Sequence, residues 1–138
     1  MVDQLAVVIA YLLGNATVTG LFATRVAAKH QYATRWAKNS LGLVVTLSGG
    51  PGEIDIPIYR GRVAVYSYAY NTSAAMNGLN VVRGQLQNVR RYAVTQLSNR
   101  VLFYFCVPDG DPSLLWDDKI NMDVALQFFD AMIGQEVI

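Results

Sequence analysis

One stretch, residues 59–89, constrains the fold more than any other. Its first half is Tyr59-Arg60-Gly61-Arg62-Val63-Ala64-Val65-Tyr66-Ser67-Tyr68-Ala69-Tyr70. Here β-branched and aromatic residues recur at the two-residue period of a half-buried strand. Asn71-Thr72-Ser73 follows, with side-chain oxygens suited to accept from the open N–H groups of a helix's first turn. Ala75, Leu79, Val82, Leu86 and Val89 are then spaced so that all five share one helical face. A long strand handing over to a capped, amphipathic helix is the folding kernel. Its strand has two unlike faces. Gly61, Val63, Val65, Ser67 and Ala69 form a small, apolar face suited to a packed helix. Arg60, Arg62, Ala64, Tyr66, Tyr68 and Tyr70 form the other, and its tyrosines join an apolar body to a polar tip, as residues at protein interfaces do. We therefore expect Arg60, Arg62, Tyr66 and Tyr68 to meet a neighbouring subunit; the plainer alternative is ordinary half-buried sheet tyrosines.

The rest of the chain sets the class. At 138 residues the expectation is one α+β domain, residues 1–138, with a frayed tail at 134–138. Hydrophobic residues make up 53% and charged residues only 15%, which implies an apolar surface that sits against something or self-associates. The apolar run 5–13 is too short for a membrane span and reads as a core or interface helix, so no membrane is expected. Cys106 lies in an apolar run and reads as a buried thiol, in keeping with a reducing cytoplasm. Charge divides along the chain. Residues 1–103 carry ten Lys/Arg against three acids, net +7, and residues 104–138 carry Lys119 against seven acids, net −6. Either this division pairs within the chain, or a basic surface on one copy meets an acidic surface on the next, as a head-to-tail ring contact requires.

In chain order, residues 3–13 read as a first helix and a second starts at Asn15 or Thr17, with Val18, Leu21, Phe22 and Val26 on its apolar face. Residues 25–40 interleave Arg25, Lys29, His30, Arg35 and Lys38 with Tyr32 and Trp36. That mixture suits either a partner-facing loop whose aromatics pack down or a nucleic-acid surface; Arg35, Trp36 and Lys38 are candidate interface residues. Residues 41–47 read as a strand, 48–52 as a Gly-rich hairpin and 53–58 as strand-like, with Pro57 at an edge or bulge. The helix after Asn71 holds Gly78 and Gly84, either close-approach points or tolerated defects of about 1 kcal/mol each. Ala93 and Leu97 extend its stripe, so it could run as far as Ser98. Residues 101–107 form a continuous apolar run, read as a central strand buried on both sides. Residues 109–122 read as a loop carrying Asp117 and Asp118, also candidate interface residues. Residues 123–133 return as a last strand, apolar on both faces and antiparallel to 101–107. The fold class is thus α+β: a mixed, mainly antiparallel sheet of about four strands flanked by two or three helices.

No reactive constellation appears. The chain has one histidine and one cysteine, lacks metalloprotease, nucleophile-elbow and dinucleotide signatures, and its glycine cluster lacks the Lys-Ser/Thr of a phosphate loop. The acids at 109 and 111 are explained by turn chemistry without a calcium site. We expect no enzyme activity, no cofactor and no metal, and hence a structural protein.

The element order, with Leu12-Leu13-Gly14-Asn15, Leu21-Phe22-Ala23-Thr24-Arg25-Val26, Val63-Ala64-Val65-Tyr66-Ser67-Tyr68, Ala74-Ala75 and Leu79 in place, resembles the tail-terminator, or tail-completion, proteins of long-tailed bacteriophages. The resemblance covers roughly residues 5–129 and consists of apolar spacing and element order. It implies a small subunit of the virion neck, assembled in the host cytoplasm into a ring, typically of six copies. Such a ring caps the tail-tube protein and docks the head-neck connector proteins, with DNA only passing through its lumen. The basic stretch 25–40 is longer than that pattern expects. The alternatives are another neck subunit, such as a head-completion or stopper protein, or a small nucleic-acid-binding module.

Overall fold

The computed structural model describes residues 4–32, 34–47, 58–90, 92–96 and 99–135. Helix α1, Gln4–Leu13, buries Val7, Val8 and Leu12 completely, as an apolar core helix should. Helix α2, Ala16–Phe22, is capped by Asn15, whose side chain accepts from the backbone N–H groups of Thr17 and Val18. It is shorter than its apolar spacing suggests. Ala23 adopts φ 51°, a left-handed conformation that an L-residue helix cannot propagate. Val26 consequently leaves the helical path and starts strand β1, Val26–Ala27.

Five more strands and one helix follow: β2 Gly42–Leu47, β3 Ile58–Ala69, α3 Thr72–Gln87, β4 Tyr92–Gln96, β5 Asn99–Asp117 and β6 Met122–Gln135. They build one curled sheet of order β1-β2-β3-β6-β5-β4. Among the described residues only β1 and β2 run parallel; the other neighbours are antiparallel. The expectation of about four strands is therefore overturned: among the described residues six strands stand with three helices. The additions came from segments assigned elsewhere. β1 came out of the presumed end of α2, and β4 out of the presumed continuation of α3. That helix stops at Gln87, where the Asn88 N–H donates to the carbonyls of Gln85 and Leu86, and Tyr92, Val94 and Thr95 beyond it are strand formers.

Residues 109–117 are not a loop but the second half of β5. Register shifts between Phe103 and Phe105 and between Asp109 and Ser113 accommodate the irregularity. Gly110 takes φ 82° in the second of them, which only glycine does without strain. The chain then returns as β6, whose pairing with the first half of β5 runs from Val107 opposite Asp130 to Val101 opposite Gln135, antiparallel as expected. β5 lies beside the edge, however, and the centre of the sheet is β3 and β6. Gly134 and Gln135, expected in a frayed tail, belong to β6. The Gly-rich hairpin, the strand-like 53–57 and Asp3 lie outside the described residues.

The helices cover one sheet face. Asn71 accepts from the Ala74 N–H at 2.7 Å, starting α3 where the sequence indicates. Ala75, Leu79, Val82, Leu86 and Val89 are all buried against Val63, Val65 and Ala69 in one core that also holds Phe22, Phe103, Phe129 and Ile133. Gly78 lets α3 close on the sheet: a Cβ there would stand 2.7 Å from Ser67 Oγ and 2.9 Å from Phe22 Cζ. Tyr11 ties α1 to this layer, packing edge-on against Tyr92 and Phe103 and donating to the Gln85 carbonyl at 2.6 Å.

Candidate subunit interface

The other sheet face is covered only in part, by the segment 28–41. Its turns are held by the Gln31 carbonyl, which accepts from the N–H groups of Thr34, Arg35 and Trp36 at 3.1, 2.8 and 2.8 Å. Tyr32 donates to the Ser40 carbonyl at 2.8 Å, and Arg25 Nε donates to the Leu41 carbonyl. Gly42 makes room beneath: a Cβ there would lie 2.8 Å from Trp36 Cζ3. Trp36 and Tyr68, each only 8% exposed, pack with Val44, Met122 and Val124 in a second core. Tyr32 stacks edge-on against Trp36 and tilts over Tyr68, and His30 tilts over both tyrosines. The aromatics that interleave the basic residues thus pack inward. They are not laid out as platforms on which bases could stack.

The candidate residues lie in different settings. Tyr68 and Trp36 are core residues of the second layer. Burial pushes the Tyr68 hydroxyl above the ordinary tyrosine range, and the Asp117 carboxylate adds to it. Burial does the same to Tyr32, with the Arg25 charge pulling the other way. Arg62 is well exposed on the same face, its guanidinium 4.4 Å from the centre of the Phe128 ring and its Nε 3.1 Å from Asp109 Oδ2. Arg60 pairs with Met132 through its backbone register, and its side chain lies outside what the structure describes. Tyr66 is half-buried. It shares an open cleft of about 470 Å³ with His30, Leu115, Asp117 and Asp118. Asp117 Oδ1 accepts from the Lys119 N–H at 3.0 Å, which shapes the turn into β6; Asp118 beside it is exposed.

Arg35 and Lys38 are exposed and line different clefts. Arg35 lines a cleft of about 590 Å³ with Arg25, Ala27 and Trp36 at the β1 edge. Lys38 lines a smaller one, about 250 Å³, beside Tyr32 and Lys119.

Sequence reasoning missed the most exposed apolar cluster. Leu114, Leu115 and Trp116 are 53%, 47% and 55% exposed. They sit on β5 opposite Ala125, Val124 and Asp123. Among the described residues β4 pairs with β5 only over residues 99–103, so from Tyr104 to Asp117 the outer backbone edge of β5 is open. The signal was present, a Leu-Leu-Trp run directly before two acids, but the neighbouring glycine and prolines made it read as loop.

No protein-family profile matches the chain, and no curated protein matches its sequence. In three dimensions the chain is similar to one in a solved virion of a native gene transfer agent particle, with a TM-score of 0.56 and 14% identity over 96% of this chain and 99% of the other. A likeness of that kind is one of fold, and it runs end to end through both chains.

Proposed function

We propose that this chain is a structural virion protein of a tailed-phage neck, forming a ring, of six copies by the resemblance, that terminates the tail tube and joins it to the head connector. The observation that carries the reading is the end-to-end likeness of fold to a chain of a phage-like virion particle. The uncovered part of the second sheet face and the open β5 edge support it, since surfaces of this kind are normally covered in an assembly. The activity is steric. A ring seated on the last tube ring removes the growing end and offers an unlike face to the neck, while DNA passes through the lumen without sequence recognition. The reading assigns the chain no catalysis, cofactor or metal, and places it in the virion after assembly in the host cytoplasm.

The test is negative-stain microscopy with native mass measurement of the full chain, alone and mixed with purified tail tubes. Rings that cap tube ends and stop elongation are the expected result. Binding to the head connector with no affinity for tube ends would make it a head-completion or stopper subunit instead. A chain that binds neither overturns the reading.

A further inference from the structure

At the end of the sheet that includes Tyr66 and Tyr68, five strands lie side by side. One row runs Val26, Leu43, Ser67, Ala125, Leu114, and the next runs Ala27, Val44, Tyr66, Leu126, Ser113. With strands about 4.8 Å apart, the two edges of that end stand roughly 19 Å from each other. They are chemically unlike. The β1 edge carries the cleft lined by Arg25, Arg35 and Trp36, within a stretch, 25–40, that holds four Lys/Arg and no acid. The β5 edge carries the open backbone, the exposed Leu114, Leu115 and Trp116, and four acids against one lysine over residues 109–119. An exposed apolar edge strand invites pairing with another chain. Within one copy His30 of the 25–40 stretch already shares a cleft with Trp116, Asp117 and Asp118, but Arg25 and Arg35 line a separate cleft at the β1 edge, on the far side of the sheet from β5.

We propose that these edges are the two halves of one contact: the 113–118 segment of one copy seats on the Arg25–Arg35–Trp36 cleft of a second copy of this chain. The inference rests on the ring reading and names the contact within it. Trp116 and Leu114 supply the apolar body, and Asp117 and Asp118 meet Arg25 and Arg35, whose charges are complementary. Arg25 is already held in place by its bond to the Leu41 carbonyl. Each copy gives one half and takes the other, so the contact is heterologous and propagates around a ring when its rotation closes.

The test uses the full chain, with mass and sedimentation measured at low salt over a concentration series and circular dichroism as a check on folding. Arg35→Glu and Asp118→Arg are exposed changes that leave the cores alone. Each is expected to weaken self-association at least tenfold, and mixing the two single variants is expected to restore it, because every mixed contact again pairs opposite charges. Trp116→Ala is expected to weaken association by at least as much. Restoration that stops at two copies overturns the head-to-tail geometry. Tube-capping rings that none of these changes affects would overturn this contact while leaving the proposed function standing. Charge-dependent rings that ignore tube ends would keep the contact and overturn the function. A folded chain that stays monomeric with and without tubes overturns both.

Discussion

The helix-sheet contact at Gly78 yields a prediction that one helix can test against itself. Gly78 and Gly84 both lie inside α3, where replacing glycine by alanine gains about 1 kcal/mol of helix propensity. Their surroundings differ. A Cβ at Gly84 meets nothing within 4 Å, whereas one at Gly78 stands 2.7 Å from Ser67 Oγ and 2.9 Å from Phe22 Cζ. Phe22 and Ser67 are both fully buried, so relief requires moving the core, and overpacking of this kind costs about 1–3 kcal/mol. Gly84→Ala should therefore stabilise by about 1 kcal/mol and Gly78→Ala should destabilise by about 0–2 kcal/mol. For a chain of this length each kcal/mol moves the melting temperature by roughly 3–4 °C, so the variants should separate by roughly 3–12 °C. Thermal and urea unfolding followed by circular dichroism, at one fixed protein concentration because association adds to apparent stability, would read the difference. Ser67→Ala supplies the cross-check. It removes the nearer clash and a buried hydroxyl that has no hydrogen-bond partner among the described residues, so it should stabilise alone by about 1 kcal/mol and stabilise more when combined with Gly78→Ala. Equal rises in stability from Gly78→Ala and Gly84→Ala would refute the close approach of α3 to β3.

Three further outcomes follow from the sheet. Gln127 is fully buried and its Nε2 donates to the Gly110 carbonyl at 2.9 Å and the Phe128 carbonyl at 3.0 Å; Gln127→Ala should cost about 2 kcal/mol and speed amide exchange at 109–113 before the rest of β5. The Arg62–Asp109 pair is nearly half exposed on both sides, so Asp109→Asn should cost under about 1 kcal/mol, and a much larger loss in urea unfolding would show that the pair is shielded. Burial pushes the Cys106 thiol up to about 12 from an ordinary 9. Because the folded value is the raised one, its contribution to stability is complete below about pH 9 and is lost as pH climbs from 9 toward 12; Cys106→Ala should flatten that part of an alkaline unfolding series, and the native thiol should resist iodoacetamide at pH 8 until the chain is unfolded.

The elements that could be read from sequence were those whose cause is local. Asn71 announces α3, and the stripe from Ala75 to Val89 names its buried face, because cap and periodicity act within a few residues of each other. β1 could not be read this way. Two residues have no period, and Val26 and Ala27 are a strand only because Leu43 and Val44 lie beside them. The second half of β5 failed for the opposite reason: Pro108, Gly110 and Pro112 are honest turn signals, and they here mark a bulge on an open edge, where a missing N–H is tolerated. A better clue lay in β6. A strand of 14 residues, apolar on both faces, needs neighbours along its length, and the nearest chain able to supply one is the segment just before its turn. The interface candidates divide along the same line. Alternation placed Arg62, Tyr66 and Tyr68 on one face, but only the fold of 28–41 over Gly42 decides that Tyr68 is inside and Arg62 outside. Sequence periodicity assigns a side chain to a face, whereas its access to a partner depends on what a distant segment leaves uncovered. That is why the open edge beside Trp116, on which the proposed contact between copies rests, is marked by no periodicity.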